Sequence, residues 1–364
     1  SDGLRIETAE NGLSARSLSA SFRAKRSIEI VPQDDGGFRM KAPDHPTPSG
    51  DRQIARLAGG HAHPPSGQRP PEGQLGQALG QGHHRDRDVV APMIRNAGAL
   101  PEMGMPLEDV FHGALATSRS TTAGRDGHFG DLAHGVLQPI SHVGDMVPVI
   151  TGIALAFRQR KEPRVALTWI GDGSTKTSTF HEGINLAAVK NVPAIFVIQN
   201  NQVALGTRLE QHGAGSFEHW PKMYGMAGAV ADGNNVLDVY AATKLAADRA
   251  RGGGGPTMLV ANTFRMGGHA THDEAEARRT FDASLFEHWG RRDPIGLYEA
   301  WLKGRGVAAE RLEEIEASIT AEVESAAEAV RALKASLLPA PESAEWPGWT
   351  SGRQPGVAHR TGVA

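Results

Sequence analysis

Three short, almost continuously apolar runs dominate the hydrophobic pattern of this chain. They are Val165–Gly171, Pro193–Gln199 and Thr257–Phe264, and runs of this length and kind are typical of strands covered on both faces of a parallel sheet. Segments with helical periodicity separate them: "FHEGINLAAVKN" follows the first run, and "NNVLDVYAATKLAADRARGGGG" precedes the third and ends in helix-stopping glycines. The resulting order, β-α-β-α-β, predicts an α/β fold with a parallel sheet flanked by helices.

Further helices are predicted on either side of this core. Met146–Arg160 has the pattern of a buried helix, and Asp293 with Pro294 supplies a helix N-cap and first-turn proline. The following charged helix carries apolar residues on one face, which predicts packing against the body of the protein or a partner chain: Leu312, Ile315, Ile319 and Val323.

The amino-acid composition along the chain divides it into three parts. Residues 1–87 form an atypical N-terminal arm, whose stretch from Lys41 to Arg87 is rich in Pro, Gly, His and Arg but poor in apolar side chains. Such a segment gains too little from burial to offset the entropy of ordering, so we expect the arm to be partly disordered. Residues 88–338 are predicted to be an α/β domain with C-terminal helices, and residues 339–364 a tail.

Composition narrows the class of protein. The 364 residues carry a formal net charge of −3, and this balance gives no basic stripe for nucleic acid. The sequence contains no cysteine, which excludes disulfides and thiolate metal sites. No apolar run reaches the roughly 20 residues that cross a bilayer. The N-terminus also lacks a basic segment followed by an apolar one. We therefore expect no membrane and no nucleic-acid partner, and a cytoplasmic location.

Two short polar side chains follow the first two predicted strands. Asp172 lies between Gly171 and Gly173, and Asn201 comes directly after the second strand. Because successive parallel strands end at the same edge of a sheet, these side chains are expected to converge there. Their oxygen atoms suit Mg²⁺, which shares its coordination shell with substrate phosphates. The glycines allow the backbone to approach a phosphate closely.

The third predicted strand leads into "FRMGGHATHDE". Arg265 is a cation near the same edge, and Gly267 and Gly268 form a turn that presents His269. A lone "GDG" or an "NN" pair is an ordinary turn sequence. Their spacing by one β-α-β unit, followed by this loop, makes a combined binding site the stronger interpretation.

Several sequence blocks carry a family resemblance. The segment "GDGSTKTSTFHEGINLAAVKNVPAIFVIQNN" resembles the thiamine diphosphate motif of the α subunit of 2-oxoacid dehydrogenase E1 components, the pyruvate, branched-chain and acetoin dehydrogenase group. "RNAGAL", "ISHVGDMVPVITGIALA", "RMGGHATHDE" and "GRRDPIGLYEAWL" are similar to that family's other blocks and follow in its order. The resemblance extends from about Val89 to Ala335.

The resemblance implies a role for each matching residue. It implies Mg²⁺ ligands in the side chains of Asp172 and Asn201 and the carbonyl of Val203, where the family often has Tyr. The diphosphate is expected to lie beside Gly171, Gly173 and Ser174 and to accept hydrogen bonds from two arginines. The aminopyrimidine is expected to contact two backbone segments. His269 is expected to be the catalytic residue, near the thiazolium carbon and the substrate. The arginines are Arg95 and Arg265, and the backbone contacts are at Ser141 and Val143.

The resemblance also implies partners. An E1 β subunit supplies the glutamate that activates the aminopyrimidine in an α2β2 heterotetramer, and the acyl group passes to a lipoyl-bearing E2 acyltransferase after a 2-oxoacid is decarboxylated. Alternatives are an acetoin dehydrogenase type, a transketolase-like or other decarboxylating relative, and a degenerate subunit without turnover. The family's "GQEA"-like block is not recognisable between Lys41 and Arg87, which a reading-frame disturbance or real divergence explains.

Overall fold

The computed structural model describes residues 88–269 and 274–338, together with three short strands nearer the N-terminus. The rest of the predicted arm and the predicted tail, residues 339–364, lie outside the described residues. The strands, numbered in chain order, are β1 Arg5–Glu7, β2 Glu29–Pro32, β3 Phe38–Lys41, β4 Val89–Ala91, β5 Ala166–Gly171, β6 Ala194–Asn200, β7 Val203–Ala204, β8 Thr207–Arg208, β9 Ala227–Asp232 and β10 Thr257–Asn262.

The α-helices of the described residues precede, cross between and follow these strands. They are α1 Ala99–Glu102, α2 Leu107–Ala114, α3 Met146–Gln159, α4 Ser178–Val189, α5 Leu209–His212, α6 Trp220–Met223, α7 Val236–Arg251, α8 Glu274–Thr280, α9 Ala283–Gly290, α10 Pro294–Lys303 and α11 Ala309–Leu333.

Within the described residues, the central sheet has six strands in the order β1-β9-β10-β6-β5-β4. The five strands from β4 to β10 in this sheet are parallel, and β1 is antiparallel to β9. The α/β fold with a parallel sheet flanked by helices is therefore confirmed, and the three predicted strands are found as β5, β6 and β10.

The predicted order β-α-β-α-β is incomplete, because β9 lies between α6 and α7 and forms the strand beside β10. Its sequence, "AGAVAD", is built mainly of small residues, and Val230 is its one member of the β-branched and aromatic types that mark a strand in sequence. The three-residue β4 extends the sheet at the other edge.

The core consists of two apolar layers, one on each face of the sheet. On one face Trp169, Val197 and Leu259 pack with residues of α7 such as Val239. On the other face Phe196, Ile198 and Met258 pack with α3 and α4. A fully buried side chain of this size contributes about 1.5–3 kcal/mol relative to exposure. This double cover explains why the strands are almost continuously apolar.

The C-terminal helices pack on the body of the same chain. Leu312 and Ile315 of α11 pack with Leu302 of α10, while Val323 packs with Phe111 of α2. The predicted N-cap of α10 is confirmed, since Oδ2 of Asp293 accepts a hydrogen bond from the Gly296 amide at 2.9 Å. Among the described residues, no helix combines the length and apolar character needed to span a membrane.

Candidate functional site

The carboxyl ends of β5 and β6 carry two buried polar side chains. Gly171 is paired in register with Gln199, so the chain leaves the two strands at neighbouring points, with Asp172 following β5 and Asn201 following β6. The exposed fraction is 1% for Asp172 and 0% for Asn201. The predicted convergence of these residues at one sheet edge agrees with the strand register.

The loop after β10 joins the same edge. The Thr263 amide donates to the Asn200 carbonyl at 3.0 Å, and the Arg265 amide donates to the Asn201 carbonyl at 3.3 Å. The Arg265 side chain is only 5% exposed, and its guanidinium donates to the carbonyl oxygens of Leu205 at 2.7 Å and Gly267 at 3.0 Å. A buried cation is thus held next to Asn201.

A second arginine reaches the site from β4. Arg95 lies in the 3₁₀ turn that follows this strand, and a methyl group placed on Gly171 would lie 2.8 Å from its Nη2 atom. Because that distance is shorter than a normal van der Waals contact, glycine at position 171 is what admits the guanidinium. The structure therefore brings both predicted phosphate-binding arginines to the carboxyl edge of the sheet.

The turn that follows Asp172 packs against two loops. A methyl group on Gly173 would overlap the methyl group of Ala204 in β7. On the other side, a methyl group on Gly144, which has φ +86°, would lie 3.3 Å from the carbonyl oxygen of Ser174. The loop 140–145, which carries Ser141 and Val143, is thereby held against the predicted diphosphate turn.

Ser141 and Val143 themselves are exposed, Val143 to 59%. The Ser141 hydroxyl is 3.3 Å from Nε2 of His128, and Nδ1 of that ring is 2.8 Å from Oδ1 of Asp126. The hydrogen bond that the His128 backbone amide donates to the Asp126 carboxylate, followed by the contact with the His128 ring, lowers the pKa of Asp126 below its ordinary value. His128 is thus tied to the predicted aminopyrimidine loop.

Val203 follows Asn201 closely and starts a β-hairpin formed by β7 and β8. Its amide donates to Oδ1 of Asn201 at 3.4 Å, and its side chain is buried. All three residues predicted to bind metal therefore lie at the ends of β5 and β6 or immediately beyond them. Among the described residues no cluster of three or more His, Asp or Glu side chains forms a metal site, so a coordination shell here would include ligands of other kinds, such as amide and carbonyl oxygens.

Two residues near Asp172 were missed by sequence reasoning. Nε2 of His212 lies 3.5 Å from Oδ2 of Asp172. Burial lowers the pKa of Lys176, and the charge of Asp172 opposes that shift. The Lys176 ammonium also lies 5.0 Å from the ring centroids of both Phe217 and Trp220, in the range of cation–π attraction.

His269 lies at the exposed end of the loop that begins at Arg265. Residues 270–273, which follow it, lie outside the described residues. Its predicted catalytic role stays a prediction.

The edge as a whole combines a buried carboxylate, a buried amide, a glycine-lined turn and two guanidinium groups. The class of protein is therefore an α/β protein with a parallel sheet whose carboxyl edge carries polar and charged side chains of the kind that suit a phosphorylated ligand and an oxygen-coordinated cation.

Comparison with known sequences identifies the family. Residues 73–337 match the family model described as "Dehydrogenase E1 component", and the chain belongs to this thiamine diphosphate-dependent family. The match begins at residue 73, inside the segment predicted to be an arm, whereas the motif resemblance began at Val89.

Curated relatives agree with the family. The α subunit of 2-oxoisovalerate dehydrogenase from Bacillus subtilis is 33% identical over 234 residues, which cover 63% of this chain and 70% of the relative. The α subunit of 3-methyl-2-oxobutanoate dehydrogenase from Mycobacterium tuberculosis is 36% identical over 239 residues, covering 63% and 60%. The pyruvate dehydrogenase E1 α subunit from Staphylococcus aureus is 35% identical over 226 residues, covering 60% and 58%.

The chain thus aligns with less than two thirds of the length of the mycobacterial and staphylococcal relatives. An acetoin:2,6-dichlorophenolindophenol oxidoreductase α subunit from Bacillus subtilis is also similar, at 32% identity over 247 residues. The resemblance to E1 α subunits inferred from the motifs is confirmed.

Proposed function

We propose that this chain is the α subunit of a thiamine diphosphate-dependent 2-oxoacid dehydrogenase E1 component. The observation that carries the proposal is the meeting of Asp172, Asn201 and Arg265 at the ends of three adjacent parallel strands. One carboxylate charge and two guanidinium groups complement a divalent cation bound to a diphosphate.

The residues divide the work of holding the cofactor. Asp172 and Asn201, with the Val203 carbonyl, would coordinate Mg²⁺ through oxygen. Arg95 and Arg265 would donate hydrogen bonds to the diphosphate. Small residues of the turn after β5 would border the diphosphate, and backbone atoms of loop 140–145 would border the aminopyrimidine. These residues are Gly171, Gly173 and Ser174 for the diphosphate, and Ser141 and Val143 for the aminopyrimidine.

When bound, thiamine diphosphate supplies the electron sink for loss of carbon dioxide from a 2-oxoacid. The contribution of this chain is to fix the position of the cofactor and to exclude water from its diphosphate end, since Asp172, Asn201 and Arg265 are all buried. His269, at the end of the Arg265 loop, would hydrogen-bond the substrate carboxylate or move a proton near the reacting carbon.

The proposal includes partners that complete the reaction. An E1 β subunit would form an α2β2 heterotetramer with this chain and supply the group that activates the aminopyrimidine. A lipoyl-bearing E2 acyltransferase would accept the acyl group. This chain alone is then expected to be inactive, and the cytoplasmic location expected from the sequence stays a prediction.

The test is cofactor binding in the full α/β complex. The chain is co-expressed with an E1 β subunit, and thiamine diphosphate affinity is measured by titration calorimetry with and without Mg²⁺. Asp172→Ala is expected to weaken Mg²⁺-dependent binding by about a hundredfold or more, because it removes a charged ligand. The matched control is Asp248→Ala, which removes a surface carboxylate 39% exposed and 2.5 Å from Lys244.

Turnover separates the alternatives. Carbon dioxide release is measured with pyruvate and with branched-chain 2-oxoacids, and acetoin cleavage is measured in parallel with the same acceptor. A complex that binds the cofactor but turns over none of these substrates is a degenerate subunit. Unchanged Mg²⁺-dependent binding in Asp172→Ala would refute the metal assignment.

A further inference from the structure

An imidazole faces the carboxylate of Asp172 from a direction that the family motif does not account for. Nε2 of His212 is 3.5 Å from Oδ2 of Asp172. The His212 side chain is 13% exposed and that of Asp172 is 2% exposed. Among the described residues, neither ring nitrogen of His212 has a hydrogen-bond partner, although both nitrogens are shielded from solvent.

The chain brings His212 to this position by reversing direction immediately after the predicted metal ligands. Strands β7 and β8 pair antiparallel, with Val203 opposite Arg208. Helix α5 follows at once, and the Leu209 amide donates to the Gln202 carbonyl at 3.0 Å. The reversal places the last residue of α5, His212, against the turn that carries Asp172. Asn201, Val203 and His212 therefore reach one site from a single segment.

The geometry of this contact differs from that of a hydrogen bond. An imidazole donating to a carboxylate lies at about 2.7–3.0 Å with the N–H aligned to the oxygen, whereas the distance here is 3.5 Å and Nε2 makes no hydrogen bond. Two donors at adjacent corners of an octahedron with metal–ligand distances of about 2.1 Å are separated by roughly 3 Å. Because Nε2 makes no hydrogen bond, the contact fits two ligands directed at one cation better than it fits a hydrogen-bonded ion pair.

A histidine that serves only in packing is the alternative. It would leave two shielded nitrogens without partners, and each costs about 1–3 kcal/mol. Ring nitrogens left in this state within a native fold indicate a bound ion, water or catalytic role.

We infer that His212 is an additional protein ligand of the divalent cation at this site, supplying imidazole nitrogen beside the oxygens of Asp172, Asn201 and Val203. The inference rests on the proposed function, because it uses the same cation. Imidazole favours borderline ions such as Co²⁺ and Ni²⁺ over Mg²⁺ more strongly than an all-oxygen set does. The site is therefore selective in favour of transition-metal ions.

The direct experiment is a spectroscopic one on the wild-type α/β complex loaded with thiamine diphosphate and Mn²⁺. Pulsed electron paramagnetic resonance detects a coupled ¹⁴N nucleus when imidazole coordinates Mn²⁺. We expect this coupling in the wild type and its loss in His212→Gln. A wild-type spectrum without imidazole nitrogen coupling would overturn the inference, and this result does not depend on how any variant folds.

Affinities give the second readout. His212→Gln is expected to weaken Co²⁺-dependent cofactor binding by about tenfold or more and Mg²⁺-dependent binding by less than about threefold. The control is His219→Gln, an exposed histidine nearby in the chain, which should change neither affinity. Equal Co²⁺ affinities for the wild type and His212→Gln would contradict the inference. If the wild type binds the cofactor equally well without any cation, both the proposed function and the role of His212 are refuted. If Mg²⁺-dependent binding is normal but no nitrogen coupling is seen, only the role of His212 is refuted.

Discussion

The contact between Gly173 and Ala204 makes a sharp test of how the site is built. A methyl group on Gly173 would overlap the Ala204 methyl group, but would lie 3.5 Å from its Cα. Only the Ala204 methyl group therefore stands in the way. In Gly173→Ala the β7 and β8 hairpin has to move, and Val203 moves with it. Forced overpacking of this kind costs about 1–3 kcal/mol.

We expect Gly173→Ala to lower the free energy of unfolding by this amount and to weaken Mg²⁺-dependent thiamine diphosphate binding by about tenfold or more. Chemical denaturation and calorimetry on the α/β complex measure the two effects. Gly152→Ala is the matched control, since a methyl group there meets no atom within 4 Å. That change lies in the exposed part of α3 and should stabilise the protein by about 0.5–1 kcal/mol.

The double variant Gly173→Ala/Ala204→Gly decides whether the clash is the cause. Removing the Ala204 methyl leaves an ordinary contact of 3.5 Å with Cα, so cofactor affinity should return close to the wild-type value. The expected coupling energy is about 1–2 kcal/mol in favour of the double variant, as for residues in direct contact. Additive effects of the two substitutions, or a single Gly173→Ala variant that binds normally, would refute the reasoning.

Two further predictions concern buried charges away from the site. Burial, and secondarily the charge of Asp232, raises the pKa of Asp238 to about 6. The protonated carboxyl therefore stabilises the folded protein fully below the ordinary carboxyl pKa, and this contribution is lost as the pH rises through 6. Melting temperatures measured from pH 4 to 7.5 should show Asp238→Asn becoming more stable relative to the wild type, by about 1 kcal/mol after allowance for the partial exposure of Asp238. Arg251 is ion-paired with Asp88, whose side chain is 1% exposed. Arg251→Met should lower the free energy of unfolding by about 3 kcal/mol in chemical denaturation, because it removes the partner of a buried charge. The control is Arg291→Met, at a side chain that is 80% exposed, which should lower it by less than about 0.5 kcal/mol.

The parts of the fold that the sequence predicted are those with strong local signals. Strands β5, β6 and β10 are continuous apolar runs because helices cover both faces, and α10 begins at an Asp-Pro pair whose cap is present in the structure. Strand β9 gave no such signal, since "AGAVAD" owes its place to pairing with β10 and alanine is a weak indicator of strand.

The candidate site divides in the same way. Asp172 and Asn201 were predicted because strand ends in a parallel sheet share one edge. His212 was not, because the chain reversal that delivers it has no glycine or asparagine where the left-handed conformation occurs: Gln202 has φ +72° and Leu205 has φ +53°. Residues of these types seldom adopt positive φ, so tertiary contacts and not local preference set this turn.

The hairpin of β7 and β8 links the cation-binding and phosphate-binding halves of the candidate site. Its first residue, Val203, donates to Asn201, its second, Ala204, packs on Gly173, and the carbonyl of Leu205 at its tip accepts a hydrogen bond from Arg265. Asp172 and Arg265 come from strands that are not adjacent, because β6 separates β5 from β10. Since the hairpin contacts residues from both sides of β6, a displacement of the hairpin changes the surroundings of the cation and of the arginine together.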